Sequence, residues 1–243
     1  MTKNKKQIIL LKISGESLRK DNAIISSTQI NSICTQIKNL QKKYAIGIVL
    51  GGGNILRGAN ISNKSLTRTS ADIMGMLATI INSIALRDGL EAMGINTSLY
   101  SLITMPTIAK TYNINTIKED LANDRVAIFA GGTGYPYFST DTGVALRALE
   151  VGASFILMGK NGVDGVYDSD PKVNKKAKRY TSISYDKIIE DNLKVIDTSA
   201  ASILLKSDVK ILVFNINKTN CFVNAMAKKI PTTIISKSNK GNK

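Results

Sequence analysis

Histidine and tryptophan are absent from this chain of 243 residues, and cysteine occurs only twice. Without histidine there is no Ser-His-Asp or Cys-His relay, and the usual zinc sets are unavailable. Cys34 and Cys221 are isolated, lacking the spacing of a thiol pair, and Cys34 falls on the apolar face of a helical pattern, which reads as packing. No apolar run reaches the roughly 18 residues that span a bilayer. The lysine-rich start leads only into Ile8 to Leu11 before Lys12 interrupts it, so a cytoplasmic protein with no membrane partner is expected. Any catalysis is left to Lys, Arg, Asp, Glu, hydroxyls, backbone amides or a metal ion held on carboxylates.

Acidic residues are few, 18 against 33 bases, and the formal charge of +15 attracts phosphate backbones. Yet the bases are spread along the chain, apart from Lys172, Lys175, Lys176, Lys178, Arg179 and the two ends, and aromatics able to stack on bases make up only 5%. A nucleic-acid partner is therefore not expected. An enzyme for phosphorylated, anionic substrates is favoured.

What is present is a regular alternation. Apolar runs at 7–13, 45–50, 97–102, 126–130, 155–158, 210–214 and 232–235 predict strands buried on both faces. Helical patterns fill 28–43, 70–93, 116–123, 142–151, 185–192, 198–206 and 220–228, with Asp141 or Thr140 as the cap of the fourth. In the second, Ile73, Met76, Leu77, Ile80, Ile81 and Ile84 are placed on one core face. The implied fold is α/β, a mostly parallel central sheet with helices on both faces, and ligand loops at the carboxyl ends of the strands. No repeat or linker divides it. Residues 1–243 read as one domain, with a change of role near residue 154 separating an acceptor half, about 1–153, from a donor half, about 154–243.

Glycine loops follow three strands. Gly51-Gly52-Gly53-Asn54, then Arg57-Gly58, sits after the second strand, where missing Cβ atoms let backbone N–H groups approach an anion and Arg57 offers a bidentate fork. A tight turn with a solvated arginine is the plainer alternative. Lys12 ends the first core strand, where a lysine needs a reason. A second loop runs from Gly131 to Asp141 and a third from Gly159 to Pro171. Asp72 falls in the first turn of the second helix, as a dipole partner or as a ligand. Neither a G-x-x-x-x-G-K-[ST] nor a G-x-G-x-x-G signature is present. Glycine loops with lysine or aspartate beside each suit phosphoryl transfer between two bound anions, by positioning and charge neutralisation.

Lys12-Ile13-Ser14-Gly15-Glu16, Gly51 to Asn54 with Arg57-Gly58, the run from Asp72 to Thr79, Gly132-Thr133-Gly134 through Asp141, and Val163 to Tyr167 with Asp170-Pro171 are collinear and together resemble the bacterial uridylate (UMP) kinases, members of the amino acid kinase family. The resemblance implies the amino acid kinase fold, an αβα sandwich, and ATP-dependent conversion of UMP to UDP by direct in-line transfer, with Mg²⁺ held mainly by ATP phosphates and no dedicated metal residues. It implies Lys12, Asp141 and Lys160 as catalytic. ATP would contact Lys12, Ile13, Ser14, Gly15, Gly53, Arg57, Asn161, Tyr167 and Asp170. UMP would contact Gly52, Arg57, Asp72, Thr133, Gly134, Tyr135, Pro136, Tyr137, Phe138, Ser139 and Thr140. A homohexamer, UTP inhibition and a place in pyrimidine nucleotide biosynthesis follow from the same likeness. Carbamate or acylamino-acid kinases share the lysine and glycine loops and form the alternative, with a basic nucleic-acid-binding regulator on the same fold as the third reading. Some relatives bind GTP through basic side chains. This chain keeps Arg87 and Arg125 there but carries Glu91, Thr97 and Ser98 at neighbouring positions, so GTP activation is not expected.

Overall fold

The computed structural model describes residues 6–56 and 66–238. Arg57 and Gly58 lie outside the described residues. One sheet of nine strands runs through the described chain: β1 Gln7–Ile13, β2 Tyr44–Leu50, β3 Thr97–Ser101, β4 Lys110–Thr111, β5 Val126–Ala130, β6 Phe155–Lys160, β7 Ser182–Ser184, β8 Lys210–Asn215 and β9 Thr233–Ser236, in the order β4-β3-β5-β2-β1-β6-β8-β9-β7. All pairings among them are parallel except β8 with β9. The helices are α1 Ser27–Gln41, α2 Arg68–Ala92, α3 Ile114–Ala122, α4 Thr140–Val151, α5 Tyr185–Glu190, α6 Thr198–Leu204 and α7 Cys221–Met226.

Strand side chains alternate between faces, and that alternation divides the core in two. Ile9, Leu11 and Ile13 of β1 pack with α1, α2 and α7 through Ile37, Ile80, Leu86 and Phe222. Leu10 packs on the other side with Val144 and Ala148 of α4, Ile117 of α3 and Leu204 of α6. The expected sandwich is therefore present. Cys34 is buried in the first core, and burial pushes its thiol up to about 12, which makes it packing rather than a nucleophile.

Three sequence expectations are corrected. Helix α2 begins earlier than expected, with the Thr67 hydroxyl accepting from Ser70 N–H, so Asp72 lies in the second turn and the dipole reading loses its basis. Helix α4 is capped by Ser139, whose Oγ accepts from the Asp141 and Thr142 N–H groups, and both Thr140 and Asp141 are inside the helix. On α2, Met76 and Ile80 are buried, whereas Ile73, Leu77 and Ile81 are exposed. A helix apolar around most of its circumference can turn only one stripe to a sheet. By length and composition alone α2 could also cross a bilayer, although Asp72 and Arg87 bound its uncharged run, and its Ile80, Leu86 and Leu90 face is packed in the core.

Candidate active site

Lys12 shares its side of β1 with Leu10, and Lys160 shares its side of β6 with Ile156 and Met158, so both lysines emerge on the face covered by α4. There the first turn of α4 presents Asp141. Lys12 Nζ lies 3.1 Å from Asp141 Oδ1, and Lys160 Nζ lies 3.6 Å from Oδ2. All three side chains are largely buried, with Asp141 only 14% exposed. Burial pushes the Asp141 carboxyl up, but the charges of Lys12 and Lys160 outweigh it and hold the group below the usual carboxylate range. For Lys160, burial pushes the ammonium below its ordinary value, and Lys12 adds to that against the opposing pull of Asp141.

The backbone beside this cluster is held in place from below. Gly51 N–H donates to Ile13 O at 2.9 Å, joining the loop after β2 to the end of β1. A Cβ on Gly15 would stand 2.3 Å from Asn54 Oδ1 and 2.7 Å from Gly53 N, so the two loops touch only because residue 15 has no side chain. Asn54 and Asn82 exchange amide bonds at 2.7 and 3.0 Å, and Asn82 also donates to Gly51 O at 2.8 Å. Asn82 is fully buried on α2 and was not singled out in the sequence, where a lone polar residue in an apolar helix carries no mark.

On the α2 side, Thr79 Oγ1 accepts from Gly131 N–H at 2.9 Å, tying the second glycine loop to the helix. Gly131, Gly132, Gly134 and Tyr137 all have positive φ, and the loop swings Tyr135, Tyr137 and Phe138 into solvent. Thr133 Oγ1 bonds Tyr135 O and N–H within it. Asp72 accepts from Tyr137 N–H at 2.8 Å and from Arg68 Nε at 2.8 and 2.9 Å, while the Arg68 guanidinium lies 5.5 Å from the Tyr137 ring. The structure therefore brings Asp72 to the loop containing residues 133–140. It also adds Asp197, the cap of α6, whose carboxylate accepts from the Ser139 and Thr142 hydroxyls and from Ala200 N–H. Nothing in the sequence distinguished Asp197 from an ordinary cap.

On the other side of Lys160, a cavity of about 540 Å³ is lined by Val163, Tyr167, Asp170, Pro171, Lys172 and 192–195. Tyr167 donates to Asp164 Oδ1 at 2.6 Å. Asn161 is not in this wall. It accepts from Asn217 Nδ2 at 2.8 Å and lines a separate cleft that it shares with Ser14, so one of the expected nucleoside contacts stands apart from the other two.

A largely buried carboxylate between two lysines, at the carboxyl ends of parallel strands and flanked by glycine loops and a cavity of about 540 Å³, is the arrangement of a phosphotransferase. Residues 7–215 match the model of the Amino acid kinase family. The chain is 45% identical to a uridylate kinase of Ureaplasma parvum, covering 96% of this chain and 100% of that one, and 47% identical to a uridylate kinase of Malacoplasma penetrans, covering 97% and 74%. Among solved structures, a UMP kinase from Ureaplasma parvum superposes with a TM-score of 0.92 at 45% identity, covering 96% and 99% of the two chains. A UMP kinase from Bacillus anthracis does so at 0.89 and 31%, covering 96% and 97%. The chain belongs to the uridylate kinases of the amino acid kinase family.

Proposed function

We propose that the protein transfers the γ-phosphoryl group of ATP to UMP in line, giving UDP and ADP, as a soluble cytoplasmic enzyme of pyrimidine nucleotide biosynthesis. A UMP phosphate oxygen forms the new bond to γ-phosphorus while the bond to the β,γ-bridging oxygen breaks. The nucleophile is already anionic, so no base must take a proton, which fits a chain without histidine. The observation that carries the reading is the Lys12–Asp141–Lys160 cluster between the two binding regions. Lys12 and Lys160 neutralise the phosphoryl group in flight, and Asp141 orients both. ATP phosphates lie along residues 12–15 and 53 with Arg57, and the nucleoside fills the cavity at Tyr167 and Asp170. UMP lies on Gly52, Arg57, Asp72 and the loop containing residues 133–140. The acceptor and donor halves, about 1–153 and 154–243, meet at the β1–β6 pairing.

Among the described residues, no three carboxylate, histidine or cysteine side chains converge as a metal cage. The oxygens of Asp141 face lysines, and those of Asp197 accept hydroxyls. This donor set fits Mg²⁺ arriving on ATP rather than a resident ion, and when bound Mg²⁺ neutralises phosphate charge. The exposed stripe of Ile73, Leu77 and Ile81 on α2 supports a homo-oligomer, a hexamer by likeness. ADP release measured across UMP, CMP, carbamate and N-acetylglutamate tests the assignment. Preference for carbamate or the acylamino acid overturns it.

Lys160 sets a pH dependence. Its proton is lost below the ordinary lysine value of about 10.4, so kcat/KM, which reports the free enzyme, should fall on the alkaline side earlier than an ordinary lysine would dictate. Arginine stays charged, and Lys160→Arg should move that fall to higher pH in a kcat/KM profile. An alkaline limb unchanged by the substitution assigns it elsewhere.

UTP shares uracil and ribose with UMP and should raise the apparent KM for UMP. GTP should not activate. Glu91 accepts from Thr97 Oγ1 at 2.6 Å, Arg125 donates to Thr97 O at 3.2 Å, and Lys110 pairs with Asp120 at 3.1 Å, so the bases of this surface are already engaged beside a carboxylate that repels a triphosphate. Initial rates at subsaturating UMP, with GTP titrated to about 1 mM, check this. A several-fold rise refutes it.

A further inference from the structure

The wall of the nucleoside cavity that carries Tyr167 and Asp170 is a short antiparallel ribbon, with Tyr167 bridged to Arg179 and Tyr180 N–H donating to Val166 O at 2.8 Å. Its outer end, about 168–178, is mostly exposed, so its position depends on how its base is fixed. Beside that backbone bond, one buried side chain clasps the base. Thr233, the first residue of β9 and fully buried, accepts from Val166 N–H at 2.9 Å and donates its own proton to Tyr180 O. A single hydroxyl thus joins the two strands of the ribbon to each other and to the sheet. The close approach extends to Gly165, where an added Cβ would stand 2.4 Å from Thr233 Oγ1 and 2.9 Å from Arg179 Cδ. Arg179 Nη1 in turn donates to Thr232 O at 3.0 Å.

We propose that Thr233 is a positioning residue for the ATP nucleoside, acting through the ribbon that presents Tyr167 and Asp170, although it lies outside the nucleoside-cavity lining itself. The inference rests on the reading of this cavity as the site of the ATP nucleoside. Thr233→Val keeps the shape and removes both hydrogen bonds, leaving Val166 N–H without its partner. Loosening the ribbon lowers the fraction of enzyme with its cavity formed, which weakens ATP and leaves the distant UMP loop untouched.

Steady-state kinetics should show the KM for ATP raised about tenfold in Thr233→Val, with kcat and the KM for UMP within about twofold of wild type, and Thr233→Ser close to wild type. Trypsin should cut the lysine-rich segment 172–179 faster in Thr233→Val than in wild type or Thr233→Ser. An unchanged cleavage rate removes the clasp. An equal rise in both KM values, or a loss of kcat matched by a general fall in melting temperature, overturns the proposal in favour of a fold-wide effect. An unchanged KM for ATP overturns it as well, and Tyr167→Ala in the same assay then separates the causes. If Tyr167→Ala raises the KM for ATP, the cavity keeps its nucleoside and only the role of Thr233 falls. If it too is silent, the cavity reading falls with it.

Discussion

Lys12→Ala is expected to lower kcat by about two to three orders of magnitude, with much smaller changes in the KM for ATP or UMP. The lysine sits on a core strand with its ammonium fixed 3.1 Å from Asp141, so its charge is pre-organised where phosphoryl charge develops. An interaction realised mainly in the transition state shows in kcat rather than KM. Asp141→Asn should act in the same direction, because it releases both lysines at once. It also leaves two cations facing each other in a largely buried site, and breaking a buried pair costs on the order of 3–5 kcal/mol, so its melting temperature should fall as well. If the pair works as a unit, the double variant should lose little more turnover than the worse single one. The carboxyl of Asp141 is depressed in the folded state, so its stabilisation is complete above the unfolded value of about 4 and is lost as pH falls through the folded one. In acid melts the difference between wild type and Asp141→Asn should therefore narrow. A folded Lys12→Ala enzyme with near wild-type turnover would leave the cluster without a catalytic role.

The sheet was legible because its inner strands are buried on both faces and read as unbroken apolar runs, as β1, β2, β5, β6 and β8 do. The short edge strands β4 and β7 carry no such run, and the reversal of β9 against β8 depends on tertiary packing, so neither was visible. Lys12 could be named because a lysine at the end of a core strand conflicts with its surroundings, whereas Lys160 followed only from the family resemblance, since its strand was expected to stop at Met158 and in fact runs on to Lys160. Their meeting at Asp141 required knowledge of which face α4 covers, which strand parity leaves undecided until one helix is placed. Asn82, Asp197 and Thr233 were missed for a common reason. Each does its work through a hydrogen bond to a distant loop, at sequence separations of 31, 58 and 67 residues, and their residue types are common in helices, caps and strand ends.

Asp72→Ala is expected to weaken UMP about ten- to a hundredfold, from loss of hydrogen bonds to a charged acceptor worth about 1.5–3 kcal/mol. An ionised carboxylate can accept from both hydroxyls of a ribose diol, and Asp72 stands on the rigid second turn of α2 beside the loop containing residues 133–140. Its present partners do not preclude this. Arg68 is 63% exposed in its side chain, and such an exposed pair is held weakly enough to yield to a ligand. The bond from Tyr137 N–H gives Asp72 a second way to matter, by shaping the loop without touching the nucleotide. The two are separated by the missing hydroxyl of dUMP. If Asp72 binds the diol, Asp72→Ala should weaken UMP more than dUMP and so blunt the preference of the enzyme between them. If it only holds the loop, calorimetry should show both nucleotides weakened by the same factor. Unchanged affinity for UMP would remove Asp72 from the acceptor site and leave it as a partner of Arg68 and Tyr137 alone.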